Sequence, residues 1–348
     1  MDGQIFVLLV QDGISNGAIY LLLAVSLVLV FSVTRVLFLP QGEFVVYGAL
    51  SYAVMQRGEV PLTAGLLMVL GVAVASTDIV AAESGRRSRV AVRTMLANVV
   101  LPAALALIAV WAPGKGLPSA FLGLLAVALI APLGPMLYRI AFQPVRSASV
   151  LTLMIIATAL HFALSGLALY FFGPEGLRAP PFSDAVADFG GIPMPMQSLI
   201  IVAASAAVIL LLWLMFERTL TGKALRASAV NQVGARLLGI RAVQAGKLSF
   251  ALAAGIGAFS GVLIVPVTTI YYDSGLIIGL KGFIGAVFGA LVSFPGAAVG
   301  AMLVGLIDSF AAFWASAFKE VILFLMIIPV LVWLSIRSPH AFDEAEEH

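Results

Sequence analysis

The chain has 348 residues, of which 62% are hydrophobic and 10% charged, with 19 Lys or Arg against 17 Asp or Glu. This composition excludes an ordinary soluble domain, and the near-balanced charge gives no footing for nucleic acid. The absence of cysteine excludes disulfides and thiolate metal sites.

Apolar stretches recur from the first residues to about Leu334. They predict a single transmembrane domain over residues 1–338, followed by an acidic cytoplasmic tail at 339–348. A hydrocarbon core of about 30 Å needs roughly 20 apolar helical residues. Eleven candidate spans follow in chain order: 10–34, 41–56, 62–82, 94–112, 119–138, 150–172, 197–216, 248–271, 276–292, 296–316 and 320–336. The expected fold is an all-α polytopic membrane protein with about 8–11 transmembrane helices, some short or interrupted. The second and ninth spans are short and glycine-rich, the pattern of a broken or re-entrant helix covered by protein. The start, Met1 to Val10, lacks the basic region of a cleavable signal, so the first span is expected to persist.

Lys and Arg concentrate in cytoplasmic loops. With the N-terminus outside and the C-terminus cytoplasmic, 14 basic residues fall inside and five outside, the five being Arg57, Lys115, Arg178, Lys281 and Lys319. The outer loop 173–197 is proline-rich and expected to be non-helical, a surface on which a partner could dock.

The inner loop 217–247 reads as a surface helix. Thr221 is placed to cap its start, Leu225, Ala229, Gln232 and Arg236 to share one side, and Gly239 to end it in a left-handed conformation. Its apolar residues are mostly small, which suits a protein groove better than a lipid surface.

Gly222, Arg226, Ala227, Asn231, Ala235, Leu237, Gly239 and Ile240 stand at the spacing G-x-x-x-R-A-x-x-x-N-x-x-x-A-x-L-x-G-I. This resembles the cytoplasmic signature of branched-chain amino acid permeases of the ABC importers, the LivH type. Arg35 to Ala49 is similar to that family's motif ending in H-G-E-F, with Gln41 in place of the histidine and Phe38 in place of an asparagine. Pro266, Gly275, Lys281, Gly289, Gly296, Gly300 and Gly305 follow its later landmarks. The resemblance covers about 5–55 and 135–337, and residues 57–130 carry no motif that can be placed.

The resemblance implies a multi-pass protein of the bacterial inner membrane that imports branched-chain amino acids or related amides, urea or small organic acids. Its partners would be a second, LivM-like permease or a second copy, two cytoplasmic ATPases, a periplasmic binding protein and membrane lipid. ATP and Mg²⁺ would be used by the ATPases, with no cofactor on this chain and no catalytic residue. Gly222, Arg226, Ala227, Asn231, Leu237 and Gly239 would form the coupling helix. Independently, no Walker A loop is present: around Gly222-Lys223, Glu217 takes the first glycine position and Ala224 that of the Ser or Thr.

Ionisable groups within spans usually face a cavity or partner. Asp308, His161 and Glu43 are the candidates. Gln41, Glu43, Phe44, Asn16 and Asp308 are the candidate lining of a translocation path, with Phe38 and Tyr47 adding an apolar wall. Glu43 is alternatively placed to hold an interrupted helix by accepting backbone hydrogen bonds, Asp308 to bond between helices, and His161 to be a satisfied interior group. Glycines four apart, at 13/17, 257/261, 285/289 and 296/300, predict close helix packing, chiefly within the chain. The competing reading is an ion-coupled secondary transporter, for which one Asp and one His form a sparse set. A membrane enzyme lacks support, since H-E-x-x-H does not occur and the one G-x-S-x-G spacing, Gly13 to Gly17, lies inside the first predicted span rather than on a nucleophile turn.

Overall fold

A computed structural model describes residues 3–81, 91–92, 94–188 and 193–337. The acidic tail and the basic stretch from Arg86 to Arg89, with Arg93, lie outside the described residues.

Elements in chain order are α1 (Gly3–Thr34), α2 (Gln41–Gln56), α3 (Thr63–Val80), a π turn Leu96–Val100 running into α4 (Leu101–Trp111), α5 (Ser119–Ile130), α6 (Leu133–Leu137) and α7 (Val150–Phe172). A hairpin of β1 (Val186–Asp188) and β2 (Pro193–Pro195) precedes α8 (Met196–Arg218), α9 (Leu220–Val230), α10 (Gln232–Leu237) and α11 (Ala242–Ile264). The chain closes with α12 (Ser274–Phe288), α13 (Phe294–Trp314), α14 (Lys319–Leu325) and α15 (Ile327–Arg337). Among the described residues eight helical segments are long and apolar enough to cross a bilayer, and Leu96–Trp111 and Ser274–Phe288 are shorter apolar helices. With α2, all eleven predicted spans have a helical counterpart.

The two glycine-rich spans, α2 and α12, are short but continuous helices rather than broken ones. At 1.5 Å per residue neither is long enough for a 30 Å core by itself. Both are enclosed by longer helices, so their ends need not meet lipid. The span expected over 248–271 instead starts at Ala242 and ends at Ile264.

Small residues bring these central helices together. A side chain at Gly42 would overlap the Gly275 carbonyl, joining α2 to α12, and one at Gly261 would overlap the Val45 carbonyl, joining α11 to α2. The longest helix, α1, lies along α13, with Gly13 against Leu306 and Gly17 against Met302 and Gly305. Gly285 faces Ala301 and Gly300 faces Phe288, which seats α12 on α13. All four predicted glycine pairs therefore act in packing within the chain.

An aromatic group fills the space between α2, α11 and the turn after α6. Phe38 stacks on Phe44 at 5.5 Å and meets Phe250 edge-on at 4.8 Å, with Phe142 and Tyr138 beside Phe250. Such contacts add about 0.5–1.5 kcal/mol per pair beyond burial. On the flank, α3 is fastened by Asp78, which pairs with Arg139 at 2.6 Å and accepts from Thr94.

At one end of the bundle residues 177–182 fold back over the 265–271 loop. Leu177 and Ile270 form an antiparallel bridge, Arg178 donates to the Pro266 carbonyl, and Gln197 donates to the Leu263 carbonyl while accepting from Phe182. α9 and α10 occupy the opposite end.

Candidate functional site

On α1, Asp12, Asn16 and Tyr20 recur every four residues and so share one face. That face borders an open cavity of about 570 Å³ at the bundle end where α1 begins, α11 ends, α12 begins and α13 ends. Ile19, Ile264, Ile277 and Ile278 make part of its wall apolar, and Lys281, Asp308 and Lys319 make another part charged.

The charges are arranged as a network. Asp308, buried on α13, accepts from the Tyr20 hydroxyl at 2.7 Å and from Lys281 Nζ at 3.1 Å, and lies 3.2 Å from Lys319 Nζ. Lys281 also lies 3.2 Å from Glu320 Oε1 and sits 5.8 Å from the centre of the Tyr20 ring. Burying either charge alone would be costly, and pairing with hydrogen bonding offsets that cost. The expected interhelical bond of Asp308 is thus present, to three partners on three other elements.

Lys281 requires a correction. It is counted above with the outer basic residues although it falls in the 276–292 span, and it lies within α12 and is buried. The signal was available in the sequence, where one Lys interrupts the apolar run from Leu276 to Val292. Lys319 and Glu320 carried no such signal, because their neighbourhood reads as an ordinary span boundary.

Of the residues named as path candidates, Asn16 and Asp308 line this cavity. Gln41, Glu43 and Phe44 lie away from it in the packed interior. Gln41 Nε2 donates to Ser26 Oγ and to the Ala253 carbonyl, linking α2 to α1 and α11, and Phe44 belongs to the aromatic group. Phe38 lines a separate apolar cavity of about 150 Å³ with Leu27, Met154 and Phe283, whereas Tyr47 donates to the Leu164 carbonyl.

Glu43 does not hold a broken helix, since α2 is continuous and neither carboxylate oxygen accepts a hydrogen bond among the described residues. Its Oε1 lies 2.9 Å from His161 Nδ1 without the alignment of a hydrogen bond. His161 is buried against that carboxylate, and its Nδ1 is not hydrogen-bonded as a satisfied interior group would be.

At the opposite end, the 217–247 loop forms two helices rather than one. Thr219, not Thr221, caps the first by accepting from Gly222 N–H at 3.0 Å. Asn231 breaks the run and caps α10 by accepting from Gly234 N–H at 2.8 Å. A new N-cap outcompetes continuation because Asn in extended backbone satisfies an otherwise unpaired N–H. Gln232 and Arg236 therefore belong to a different helix from Leu225 and Ala229.

The six motif residues divide by role in the local structure. Gly222 lets α9 approach the Met215 carbonyl of α8, and Gly239, at φ +83°, provides the left-handed stop. Arg226 Nη1 donates to Glu217 Oε1 at 2.8 Å; with Ala227 and Lys223 these residues line a shallow hollow of about 390 Å³. Asn231 is the cap just described, and Leu237 projects outward.

Among the described residues, eight apolar helices of spanning length, with their interior charges turned toward one another, define a multi-pass membrane protein with a cavity sunk into one end. Residues 102–331 match the family described as branched-chain amino acid transport system, permease component. The chain belongs to that family. The match takes in residues 102–130, where no motif could be placed from sequence.

Curated relatives agree. The chain is 27% identical over 216 residues to the high-affinity branched-chain amino acid transport system permease protein LivH of Escherichia coli (strain K12), covering 60% of this chain and 70% of the relative. The LivH protein of Salmonella typhimurium matches with the same identity and coverage. The BraD permease protein of Pseudomonas aeruginosa is 26% identical over 215 residues, again covering 60% of this chain and 70% of the relative.

Proposed function

We propose that this permease is the membrane subunit of an ATP-driven importer for branched-chain amino acids or related small solutes in a bacterial inner membrane. The observation that carries the reading is the helix pair at the end opposite the cavity. Leu220, Leu237 and Leu238 there are 87%, 85% and 81% exposed. Large apolar side chains on a polar connecting segment beyond the membrane helices favour a protein partner. Two cytoplasmic ATPases are the partners of that surface, and they bind the ATP and Mg²⁺ that this chain has no loop to hold.

The basic residues support an outside N-terminus and a cytoplasmic C-terminus. With the intramembrane Lys281 removed from the outer count, only Arg57, Lys115, Arg178 and Lys319 oppose that orientation. The cavity and the 173–197 segment then face outward, where a binding protein would deliver solute, and a second permease or a second copy would complete the passage. In this reading Gln41 and Phe44 hold α2 against its neighbours rather than touching solute.

The test is extraction in mild detergent, co-purification with the products of neighbouring genes and an ATPase assay on what accompanies the chain. Recovery of a second hydrophobic subunit with ATPases supports the importer. A chain that purifies alone and carries solute down an ion gradient in liposomes refutes it.

A further inference from the structure

The smaller cavity, of about 150 Å³, lies toward the bundle end where α1 finishes and α7 starts. Its wall comes from Leu27 of α1, Leu37 to Leu39 of the turn that follows, Met154 of α7, and Leu280 and Phe283 of α12. No lining side chain carries a nitrogen or oxygen atom. Leu37, Leu39, Met154, Leu280 and Phe283 are only half-buried, so the hollow is open on the flank they share. Water gains nothing there, because a buried water needs two to four polar partners. Left empty, the wall would forfeit packing contacts. On a flank that faces the bilayer the remaining occupant is hydrocarbon, and a cavity of this size and lining admits about six carbons, as many as benzene has.

The depth suits the chain of a lipid rather than its headgroup. Leu27 lies seven residues before the end of α1, and Met154 four residues after the start of α7. At 1.5 Å per residue these are about 10 Å and about 6 Å in from that end. Two cations stand at the end itself. Arg35 directly follows α1, and Arg146 lies just before α7. Their segments touch, since Phe38 meets Phe142 edge-on at 5.9 Å. Both arginines are exposed, and neither has an ion-pair partner among the described residues. Arg35 also holds φ +58°, a left-handed conformation that Gly or Asn would adopt at less cost.

We propose that this hollow is the binding site of an anionic glycerophospholipid, with the end of one acyl chain in the hollow and the headgroup phosphate on Arg35 and Arg146. A guanidinium grips phosphate oxygens in pairs. Two unpaired cations select a headgroup that brings no ammonium of its own. The lipid fills the seam among α1, α7 and α12, and the assignment stands whether or not ATPases drive the chain.

The probe is phosphatidylglycerol with a diazirine near the end of one acyl chain, added in trace to phosphatidylcholine nanodiscs that hold the full chain with its accompanying subunits. Irradiation and peptide mass spectrometry locate the adducts, which are expected to concentrate on Leu37 to Leu39, Met154 and Phe283. Unlabelled phosphatidylglycerol is expected to compete at least about tenfold better than phosphatidylethanolamine, the worth of one charge-assisted hydrogen bond. Arg35→Gln combined with Arg146→Gln is expected to erase that preference. Met154→Trp, which fills the hollow, is expected to remove the adducts from Leu37 to Leu39 and from Phe283. Melting confirms that each variant is folded, and where one is not, the wild-type adduct map and competition decide alone. Adducts spread evenly around the bundle overturn the site, as does labelling of the hollow for which the two lipids compete equally. Labelling of the isolated chain that vanishes when its subunits are present also overturns it, because a neighbouring subunit then covers the hollow.

Discussion

Gln232 Nε2 donates a 2.8 Å hydrogen bond to the carbonyl of Val33, so α10 is tied directly to the last turn of α1. Carbonyls in a helix's last turn have no partner within the helix, and Gln232 supplies one from 199 residues further along the chain. The first half of α1 carries Leu9, Asp12 and Asn16 at the cavity. One continuous helix thus connects the two ends of the permease.

Gln232→Leu should loosen this tie at a stability cost of about 1 kcal/mol, the usual net value of one hydrogen bond. The expected result is an assembled transporter with near-normal ATPase binding but fewer solute molecules moved per ATP hydrolysed. Unchanged stoichiometry in reconstituted vesicles would show that α10 and α1 need no such link.

The buried network gives a second prediction. Lys281→Met leaves Asp308 with Tyr20 and Lys319, and Asp308→Asn leaves Lys281 with Glu320, so neither charge is stranded entirely. Each single change should cost about 2–4 kcal/mol, toward or just below the range for breaking a buried pair. The double variant Lys281→Met with Asp308→Asn should cost less than the sum by at least about 1 kcal/mol, as contacting residues do. Melting in one detergent, for both singles and the double, checks this; strict additivity would mean the two groups do not interact.

The bundle was legible because its determinants are local. Twenty-odd apolar residues between turns specify a spanning helix whatever surrounds them, and 150–172 coincides with α7 to the residue. The site was less legible because its residues come from α1, α12, α13 and the start of α14, and periodicity says nothing of which helices adjoin. Asp308 stands out as an acid in an apolar run, but that Lys281 of the 276–292 span faces it cannot be read from either run alone. In the loop between α8 and α11 the motif was visible, while the break at Asn231 depends on a side-chain cap that competes closely with helix continuation. Gln41 and Phe44 look like path residues because they belong to a motif; their contacts with α1 and α11 can only be seen once those helices are assembled.

Gly42 offers a sharper test of packing than any apolar residue. A methyl group there would collide with the Gly275 backbone, which cannot rotate away as a side chain can. Gly42→Ala should therefore cost at least the 1–3 kcal/mol of an overpacked core and sharply reduce the yield of assembled protein. Gly65→Ala, on α3 with open space around it, should be tolerated and serves as the control. Equal melting temperatures for the two variants would contradict the close approach of α2 and α12.

Arg226 separates a structural role from a docking role. Its pair with Glu217 is exposed, and such pairs contribute only about 0–1 kcal/mol. Arg226→Glu should leave the membrane bundle's melting unchanged while weakening ATPase association, because it places a second carboxylate in the hollow that also holds Lys223 and Ala227. The exchanged double variant, Glu217→Arg with Arg226→Glu, restores the local pair with its polarity reversed. If the partner reads the cation at position 226 itself, co-purification stays weak in the double variant; if the pair serves only to shape the loop, the double variant recovers it. Normal ATPase association in the single variant would remove Arg226 from the docking surface altogether.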